Sequence, residues 1–396
     1  GCSDDFVNEN PESGFQNINQ LGEAASNNPD IVTGFIEGVY STMYTVGTGG
    51  TGGHVFPALA VADQLRERGF RILWLGAENG MEGKLVRQYG YEIAELAVSR
   101  LRGGGLKRKL TAPFNLLRAV WQARNLISQR QPLLAVGFGG FASGPGGLAA
   151  RLCKVPVVVH EQNAVPGLTN RLLSKMATVT LEGFQGAFGS QSACWVGNPV
   201  RAEIANLDDP ARRYAQHQGG LRVLVLGGSQ GALVLNQDLP ELLLAVLGRE
   251  IQVRHQCGAG RTGEAAPIYQ ALGMQARGSE FIDDMAEAYG WADLVICRAG
   301  ALTVAEVAAA GVAALFVPLP TAVDDHQTLN ARWLSDRGAA LLLPQRDMSA
   351  ASLAGTLKPV AERGLLAQMA QRAREQAVAD SAERAATLCE EVANGR

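Results

Sequence analysis

The sequence predicts an α/β protein of two domains, each a parallel sheet covered by helices on both faces, with the two sheets facing one cleft. Apolar runs alternate with helical stretches, and they lie at 71–76, 133–137, 155–160, 221–226, 293–297 and 314–318. Such continuous Val/Ile/Leu runs are typical of parallel strands buried on both faces. The runs that end at Val46 and Leu226 each lead into a glycine-rich turn that opens a helix. One such turn in each half predicts two domains that can each approach a phosphate group.

The composition is that of a soluble protein with sizeable cores. Its 396 residues are 47% hydrophobic and 18% charged, with a formal net charge of -3, so no nucleic-acid partner is expected. Between Glu95 and Glu161 there is no Asp or Glu but there are ten Lys or Arg, which predicts an electropositive face on the first domain. The six cysteines show no metal-ligand spacing, and no run of about 20 apolar residues occurs, so neither a metal site nor a membrane span is expected.

Shifts in composition divide the chain into four segments. Residues 1–43 are acidic and Asn-rich and look foreign to the remainder. An N-terminal domain is expected over 44–198. A polar, turn-rich stretch around Pro199 marks the boundary, and a C-terminal domain is expected over 199–378. The end of the chain predicts a helix over 379–396 that can pack back on the N-terminal domain.

The C-terminal half carries polar groups that suit a nucleotide. The turn from Gly227 to Ala232 presents backbone N–H groups that can hold a diphosphate, and Ser229 adds a hydroxyl donor. A strand, a turn and a helix start follow over 297–306, where Glu306 could accept hydrogen bonds from both ribose hydroxyls. The alternative is that Glu306 is a solvated carboxylate in the first turn of a helix, where the helix dipole favours negative charge.

Two further features have more than one interpretation. The polar residues at 324–327 follow a strand and could bind a sugar, or they could form an ordinary helix cap. The first glycine-rich turn fits the dinucleotide fingerprint through Gly47, Gly49 and Gly52, with Glu78 after the next strand, as in a dehydrogenase. A dehydrogenase would give no role to the second glycine-rich turn.

Seven short motifs occur in order in both halves of the chain. They are GGTGGHVFPALA at 49–60, GGFASGP at 139–145, HEQN at 160–163, GNPVR at 197–201, GGSQGA at 227–232, FIDDM at 281–285 and RAGALTVAE at 298–306. Over about 47–396 the chain thereby resembles the MurG family of glycosyltransferases. The resemblance implies a GT-B fold, in which two Rossmann-like domains face an interdomain cleft, and a reaction without a cofactor.

The reaction implied by the resemblance is an inverting, metal-independent transfer. N-acetylglucosamine would move from UDP-N-acetylglucosamine to undecaprenyl-diphospho-muramoyl-pentapeptide, converting lipid I to lipid II in peptidoglycan synthesis. The alternative is another UDP-sugar transferase of the same fold that acts on a different lipid acceptor. No Asp-x-Asp motif stands in a suitable loop, so Arg201, Ser229 and a helix N-terminus are expected to meet the charge that develops on UDP.

The resemblance also assigns the donor site residue by residue. Ile282 would hold the uracil through its backbone, Glu306 would hold the ribose, and Ser229 and Arg201 would contact the diphosphate region. Asn163 and Gln327 would contact the sugar. The other residues expected at the donor site are Thr51, Gly52 and Gly53 from the first domain and Ala301, Leu302, Thr303, Val304 and Ala305 at the helix start.

His54 is the expected catalytic base. Inversion requires the acceptor hydroxyl to lose a proton as it attacks the anomeric carbon from the face opposite UDP. His54 follows the first glycine-rich turn at a helix N-terminus, where the helix dipole disfavours the imidazolium form. The alternative is that His54 caps the helix or only donates a hydrogen bond to the acceptor diphosphate.

A basic, apolar stretch predicts contact with an anionic membrane surface. The segment 101–110 contains Arg102, Lys107, Arg108 and Lys109 and leads into a helix. Apolar and basic side chains share that helix at helical spacing, namely Phe114, Leu117, Val120 and Trp121 beside Arg118 and Arg124. A peripheral protein on the cytoplasmic face of the bacterial inner membrane would use such a surface to collect a lipid-linked acceptor. The alternative is that the apolar residues are the core face of an amphipathic helix.

The start of the chain departs from the family pattern. The chain begins with Gly-Cys-Ser-Asp-Asp at 1–5, and a glycine-rich turn follows at 47–53. Through these features residues 1–53 resemble the mature N-terminus of SusD-type outer-membrane lipoproteins, which predicts a chimera joined at a shared glycine-rich stretch. A glycan-binding lipoprotein is the function that this segment alone would favour. A first strand over 40–46 is still expected in the centre of the sheet, although Ser41, Thr42 and Thr45 interrupt its apolar pattern.

Overall fold

The computed structural model describes residues 42–46, 52–77, 81–96, 106–140, 142–189, 193–228 and 231–395. The predictions made for residues 1–41, for Thr51, for Glu78, for the loop 101–105 and for Ser229 lie outside these ranges.

The N-terminal half forms one seven-stranded parallel sheet. Its strands are β1 (Thr42–Val46), β2 (Arg71–Ala77), β3 (Glu92–Leu96), β4 (Leu134–Gly137), β5 (Val157–Glu161), β6 (Val179–Glu182) and β7 (Ala193–Trp195). The spatial order is β3-β2-β1-β4-β5-β6-β7. Strand β1 pairs in parallel with β2 and β4, so the predicted central position of the first strand is confirmed. The order reverses between β1 and β4, and in open parallel sheets ligands bind beside such a reversal, at the carboxyl ends of the strands.

Helices cover both faces of this sheet. They are α1 (Gly52–Glu67), α2 (Met81–Gln88), α3 (Leu106–Arg130), α4 (Ser143–Leu152) and α5 (Leu168–Leu173). One apolar cluster joins α1 to the sheet through Val55, Leu59 and Trp74. A second joins α3 and α4 to the opposite face through Ile127 and Ala149. Burial on both faces explains why the strands read as continuous apolar runs.

The C-terminal half forms a second parallel sheet, of six strands. They are β8 (Arg222–Leu226), β9 (Gln252–Gln256), β10 (Gln275–Ser279), β11 (Leu294–Cys297), β12 (Ala313–Phe316) and β13 (Leu341–Leu342). Their spatial order is β10-β9-β8-β11-β12-β13. The central strands β11 and β12 are buried along their whole length. The reversal in order lies between β8 and β11, beside the second glycine-rich turn.

Helices also cover both faces of the second sheet. They are α6 (Ala202–Ala205), α7 (Pro210–Gln216), α8 (Leu233–Gln237), α9 (Leu239–Leu247), α10 (Thr262–Ala271), α11 (Met285–Trp291), α12 (Ala301–Ala310), α13 (His326–Ser335), α14 (Ala350–Leu357) and α15 (Arg363–Glu375), and the chain ends with one more helix, α16 (Ser381–Ala393). Single 3-10 turns occur at Val323–Asp325, Gln345–Asp347 and Lys358–Val360. Among the described residues, no helix combines the length and the apolar character needed to cross a membrane.

The last helix returns to the first sheet. Ala385 and Cys389 of α16 lie in the same buried cluster as Val55 and Leu59 of α1. Arg68, just after α1, donates to Glu390 at 2.9 Å. The chain passes between the two halves twice, near Gly197 and near Val378, and these two segments are in contact. A Cβ on Gly197 would stand 2.6 Å from the Cβ of Val378, and Gly197 has a φ of +79°. Only glycine allows this close approach with a left-handed backbone.

Candidate active site

On the N-terminal side, the site is built at the carboxyl end of β5 and the start of α1. His54 is the third residue of α1 and is half-buried. Its Nδ1 lies 2.6 Å from Oε1 of Gln162, which follows β5 in the HEQN motif. The ring also packs against the loop after β4, where a Cβ on Gly139 would stand 3.5 Å from Cε1 of His54. His54 is therefore held by a side-chain partner 108 residues away along the chain.

The HEQN motif also holds a buried carboxylate. Glu161 is 1% exposed. Its Oε1 accepts from the backbone N–H and the side-chain amide of Asn163 at 2.9 and 3.0 Å. Its Oε2 accepts from the Gly167 N–H at 3.1 Å and from Nδ2 of Asn170 at 2.9 Å. Four neutral donors thus replace the water that this charge loses on burial, and they fold the segment after β5 around it.

Asn163 forms a hydrogen bond with Asn330 of the second domain, a residue that the sequence analysis did not identify. Its Oδ1 accepts from Nδ2 of Asn330 at 3.2 Å. The buried Asn330, on α13, also accepts from the Ala164 N–H at 2.8 Å and donates to the Ala299 carbonyl at 3.2 Å. One amide therefore joins the end of β5 to the turn before α12, across the boundary between the sheets.

On the C-terminal side, the site centres on Glu306. It is the sixth residue of α12 and 7% exposed, so the alternative of a solvated carboxylate in the first helical turn is wrong. Its Oε1 accepts from Nη2 of Arg201 at 3.1 Å and its Oε2 accepts from the Tyr289 hydroxyl at 3.1 Å. Burial raises the pKa of Glu306, and the Arg201 cation and the Tyr289 hydrogen bond oppose that shift.

Arg201 connects this carboxylate to the opposite side of the cleft. Its guanidinium carbon lies 5.6 Å from the centre of the Phe56 ring on α1. The side chain of Arg201 is 34% exposed, so a cation stands in the cleft between Glu306 in the middle of α12 and the helix that carries His54. This position suits the expected contact with a negatively charged diphosphate.

The start of α12 is held by a second arginine, Arg298, which opens the RAGALTVAE motif but was given no role in the sequence analysis. Arg298 donates through Nη1 to the carbonyls of Val317 and Pro318 at 3.0 and 3.2 Å, and through Nη2 to Oε1 of Gln345 at 2.7 Å. Burial lowers the pKa of Arg298. These bonds tie the turn between β11 and α12 to the loop after β12 and to Gln345, which follows β13.

The residues of α12 that were predicted to bind the sugar donor differ in their exposure to solvent. Ala301 and Val304 are buried, whereas Leu302, Thr303 and Ala305 are partly exposed. Val304 belongs to the apolar cluster beneath the helix, so its side chain is part of the core. In the first domain, Gly52 and Gly53 open α1.

Two other predicted contacts, one on a loop and one at the start of a helix, lie at the same edge of the second sheet. Ile282 follows β10 and packs partly against the apolar cluster under α12. Gln327 is the second residue of α13, and its Oε1 accepts from the Leu319 N–H at 2.9 Å. Asp325 stands at the N-cap position of α13, but its carboxylate accepts from the Thr328 hydroxyl at 2.7 Å and makes no backbone cap. The ordinary helix cap is therefore not formed by Asp325.

Both halves of the chain match models of one protein family. Residues 44–181 match the glycosyltransferase family 28 N-terminal domain, and residues 222–385 match the glycosyltransferase family 28 C-terminal domain. The chain belongs to glycosyltransferase family 28. The dehydrogenase and the glycan-binding lipoprotein are therefore wrong as functions of this chain.

Relatives with high identity carry one enzyme name. A protein of Alcanivorax borkumensis is 90% identical over 348 residues, which are 88% of this chain and 98% of that protein. A protein of Aeromonas hydrophila is 52% identical over 358 residues, or 90% of this chain and 98% of that protein. Both are named UDP-N-acetylglucosamine--N-acetylmuramyl-(pentapeptide) pyrophosphoryl-undecaprenol N-acetylglucosamine transferase.

Solved structures agree with the family and the fold. The crystal structure of Acinetobacter baumannii MurG matches with a TM-score of 0.77 at 42% identity, covering 88% of this chain and 99% of that one. The calicheamicin glycosyltransferase CalG4 matches with a TM-score of 0.62 at 16% identity, covering 90% and 98%, which supports the fold alone. The predicted MurG resemblance and the GT-B fold with two Rossmann-like domains are confirmed. The SusD-type likeness of residues 1–53 gains no support from these relatives.

The helix predicted to meet a membrane presents an apolar face to solvent. Phe114 is 72% exposed, Leu117 is 69% exposed and Trp121 is 63% exposed. The alternative that these three residues form the core face of an amphipathic helix is wrong. The core face of α3 is formed instead by Ala119, Val120, Ala123 and Ile127. Val120, which the sequence analysis grouped with the exposed residues, is therefore part of the core.

Proposed function

We propose that this chain transfers N-acetylglucosamine from UDP-N-acetylglucosamine to undecaprenyl-diphospho-muramoyl-pentapeptide, converting lipid I to lipid II in peptidoglycan synthesis. The names of relatives at 90% and 52% identity support this reaction. The structural observation that carries the proposal is the pairing of the partly exposed Arg201 with the buried Glu306 on one side of the cleft, opposite His54 on the other. That arrangement can hold a nucleoside diphosphate beside a base.

The nucleotide occupies the C-terminal side in this proposal. Glu306 uses one lone pair of each oxygen on Arg201 and Tyr289, and a carboxylate has about four acceptor sites. It can therefore still accept from ribose hydroxyls, and Arg201 can turn toward the diphosphate. The first turn of α12 contains no acidic residue, so its N–H groups and the helix dipole add attraction for phosphate oxygens. Ile282, Ser229 and Gln327 complete the expected donor contacts.

Catalysis is assigned to the N-terminal side. His54 takes the proton from the acceptor hydroxyl as that oxygen attacks the anomeric carbon, the bond to UDP breaks, and the configuration inverts. Arg201 and the start of α12 stabilise the negative charge that develops on the departing UDP. The reaction is proposed to need no metal ion.

The acceptor is collected at an anionic membrane surface. Support comes from the exposed Phe114, Leu117 and Trp121 of α3, with the exposed Arg118 and Arg124 on the same helix. An apolar face beside cations suits insertion into the interface of an anionic bilayer. We place this contact at the cytoplasmic face of the bacterial inner membrane. The functional division is thus an acceptor and membrane domain over 44–198 and a UDP-sugar domain over 199–378.

A transfer assay tests the reaction. The full chain is incubated with labelled UDP-N-acetylglucosamine and a lipid I analogue, with and without EDTA. Label should appear in the disaccharide-lipid product with an inverted anomeric configuration in both cases. Transfer only to a different lipid would overturn the acceptor, a retained configuration would overturn inversion, and loss of activity in EDTA that Mg²⁺ restores would overturn the metal independence.

Residues 1–41 are proposed to lie outside the catalytic unit, whereas Thr42 and Met43, which were expected to belong to the foreign N-terminal segment, are part of the central strand β1. The first family match begins at residue 44. Deleting residues 1–35 should leave both the melting temperature and the transfer rate unchanged. A deletion that unfolds the chain would show that this segment belongs to the fold and would end the chimera hypothesis.

A further inference from the structure

A chain of hydrogen bonds runs from His54 into the interior and ends on a backbone carbonyl. It passes from Nδ1 of His54 to the amide of Gln162, from that amide to Nδ1 of His160, and from Nε2 of His160 to the carbonyl of Gly197. His160 is fully buried and Gln162 is 1% exposed. The reaction proposed above uses His54 and gives no role to the two residues behind it.

The inner end of the chain fixes the proton on His160. Its Nε2 lies 3.0 Å from the Gly197 carbonyl oxygen, which can only accept, so Nε2 carries the hydrogen. Burial lowers the pKa of His160 to about 4, so the ring is neutral near pH 7. Its Nδ1 is then an unprotonated acceptor.

The orientation of the Gln162 amide follows from this. One end of the amide lies 2.9 Å from Nδ1 of His160 and 2.9 Å from the carbonyl oxygen of His160. Both of these partners are acceptors, so that end is the NH₂ group and the other end is the carbonyl oxygen. The oxygen lies 2.6 Å from Nδ1 of His54. Nδ1 of His54 must therefore donate, and in the neutral ring Nε2 is left with the lone pair.

We propose that Gln162 and His160 are positioning residues that hold His54 as the Nδ1–H tautomer and so present Nε2 as the nitrogen that accepts the proton. The inference rests on the proposed role of His54 as the base. The partner of His54 in this chain is the neutral amide of Gln162, and the neighbouring carboxylate of Glu161 accepts instead from Asn163, Gly167 and Asn170. A neutral partner sets the tautomer without adding a negative charge that would favour imidazolium.

The tautomer is measured by nitrogen-15 NMR of the imidazole side chains of the full chain. The sequence has five histidines, and the signal missing from His54→Ala identifies His54. We expect the neutral ring of His54 to carry its hydrogen on Nδ1. A spectrum with the hydrogen on Nε2 would overturn the proposal, whatever the activity of His54→Ala.

Two substitutions of Gln162 separate tautomer control from packing. Gln162→Leu removes the acceptor, so the His54 ring should move toward Nε2–H and kcat should fall about tenfold or more, with the KM for UDP-N-acetylglucosamine nearly unchanged. Gln162→Glu presents an oxygen to Nδ1 in either protonation state, and it should keep the Nδ1–H tautomer and recover part of kcat. Gln64→Leu, the same type of substitution on the helix α1 that carries His54, is the matched control. It should alter neither the tautomer of His54 nor kcat.

These measurements test the positioning role of Gln162 separately from the assignment of His54 as the base. If His54→Ala retains near-normal turnover, the base assignment fails even when the tautomer is as expected. If Gln162→Leu keeps the Nδ1–H tautomer, or Gln162→Glu is no better than Gln162→Leu, the positioning role is overturned while the base assignment stands. Should Gln162→Leu not fold, the wild-type spectrum and Gln162→Glu decide the question.

Discussion

Two buried glutamates, one on each side of the cleft, are stabilised in different ways. Glu161 accepts four hydrogen bonds from neutral donors of its own domain. Glu306 is held by the Tyr289 hydroxyl and by the partly exposed cation of Arg201. The first is a closed arrangement that shapes the segment after β5, whereas the second depends on a partly exposed cation that, in the proposed function, turns toward the donor diphosphate. The N-terminal side is thus preorganised, and the C-terminal side is the one proposed to bind the donor.

The largest expected effect is on the folding of the preorganised side. Glu161→Ala removes the acceptor of the Asn163 and Gly167 N–H groups and one of the two acceptors of the Asn170 amide. It should lower the free energy of unfolding by about 3–5 kcal/mol, because each buried donor left unsatisfied costs about 1–3 kcal/mol. Urea titration measures this. Glu92→Ala removes an exposed partner of Arg130 and, as the control, should cost under about 1 kcal/mol. A loss that small for Glu161→Ala would contradict the comparison.

Loss of the base tests whether catalysis belongs to the N-terminal side. His54→Ala should lower kcat about a hundredfold or more, because a positioned general base contributes at least that much. UDP affinity, measured by calorimetry, should stay nearly intact because the donor is held by the other domain. Near-normal turnover in the folded variant would exclude His54 as the base.

Each domain contains one buried neutral histidine, which predicts a shared dependence of stability on pH. Burial lowers the pKa of His160 and of His255 to about 4, below the unfolded value of about 6.5. The stability that each contributes is present above pH 6.5 and is lost as the pH falls toward 4, because the unfolded chain then binds the proton first. At about pH 5 the loss should be about 2 kcal/mol for each histidine.

Urea titration at about pH 8 and pH 5 checks this dependence. Replacing His255 with Gln should reduce the difference between the two pH values by about half of the combined effect. An unchanged difference would show that folding does not shift the pKa of His255.

Removal of the Glu306 carboxylate should weaken donor binding. Glu306→Ala is expected to reduce UDP affinity by about tenfold or more, since a charge-assisted hydrogen bond is lost. Glu241→Ala, which changes an exposed glutamate on α9, is the control. Calorimetry that finds equal affinity for the two variants would return Glu306 to a purely structural role.

The smallest effect per residue is expected at the face of α3 that we propose to contact the membrane. Phe114→Ser and Trp121→Ser should each weaken binding to anionic vesicles by about 1 kcal/mol or more at any salt concentration, because apolar area is lost. Replacing Lys107, Arg108 and Lys109 with Ser should cost up to about 1 kcal/mol per charge, at low salt only.

The control for the membrane test lies on the C-terminal side. Leu365→Ser alters a partly exposed leucine of α15 and should leave vesicle binding unchanged. Equal losses for Leu365→Ser and Trp121→Ser would show that the face of α3 has no special role. UDP binding should be unaffected in all of these variants.

Much of the fold could be predicted from local pattern. The predicted apolar runs are strands in the structure, because burial on both faces of a parallel sheet requires continuous Val/Ile/Leu. The two halves of the chain form two separate sheets. Motifs in both halves identified the family. Pattern was less informative for α3, where helical spacing grouped Val120 with Phe114 and Trp121. Periodicity shows that residues share a helix but does not show which face meets the sheet.

The sequence by itself determined the two parallel sheets, the family and the edge of each sheet at which the site lies. Only the tertiary structure decided which polar groups meet there. The Gln162 amide lies on His54 across 108 residues, and Arg201 reaches Glu306 across 105. Asn330 joins the two domains through Ala164 and Ala299. The reason is physical: a hydrogen bond depends on distances of about 3 Å set by the packing of whole elements, whereas a strand depends on residues that are neighbours in the chain.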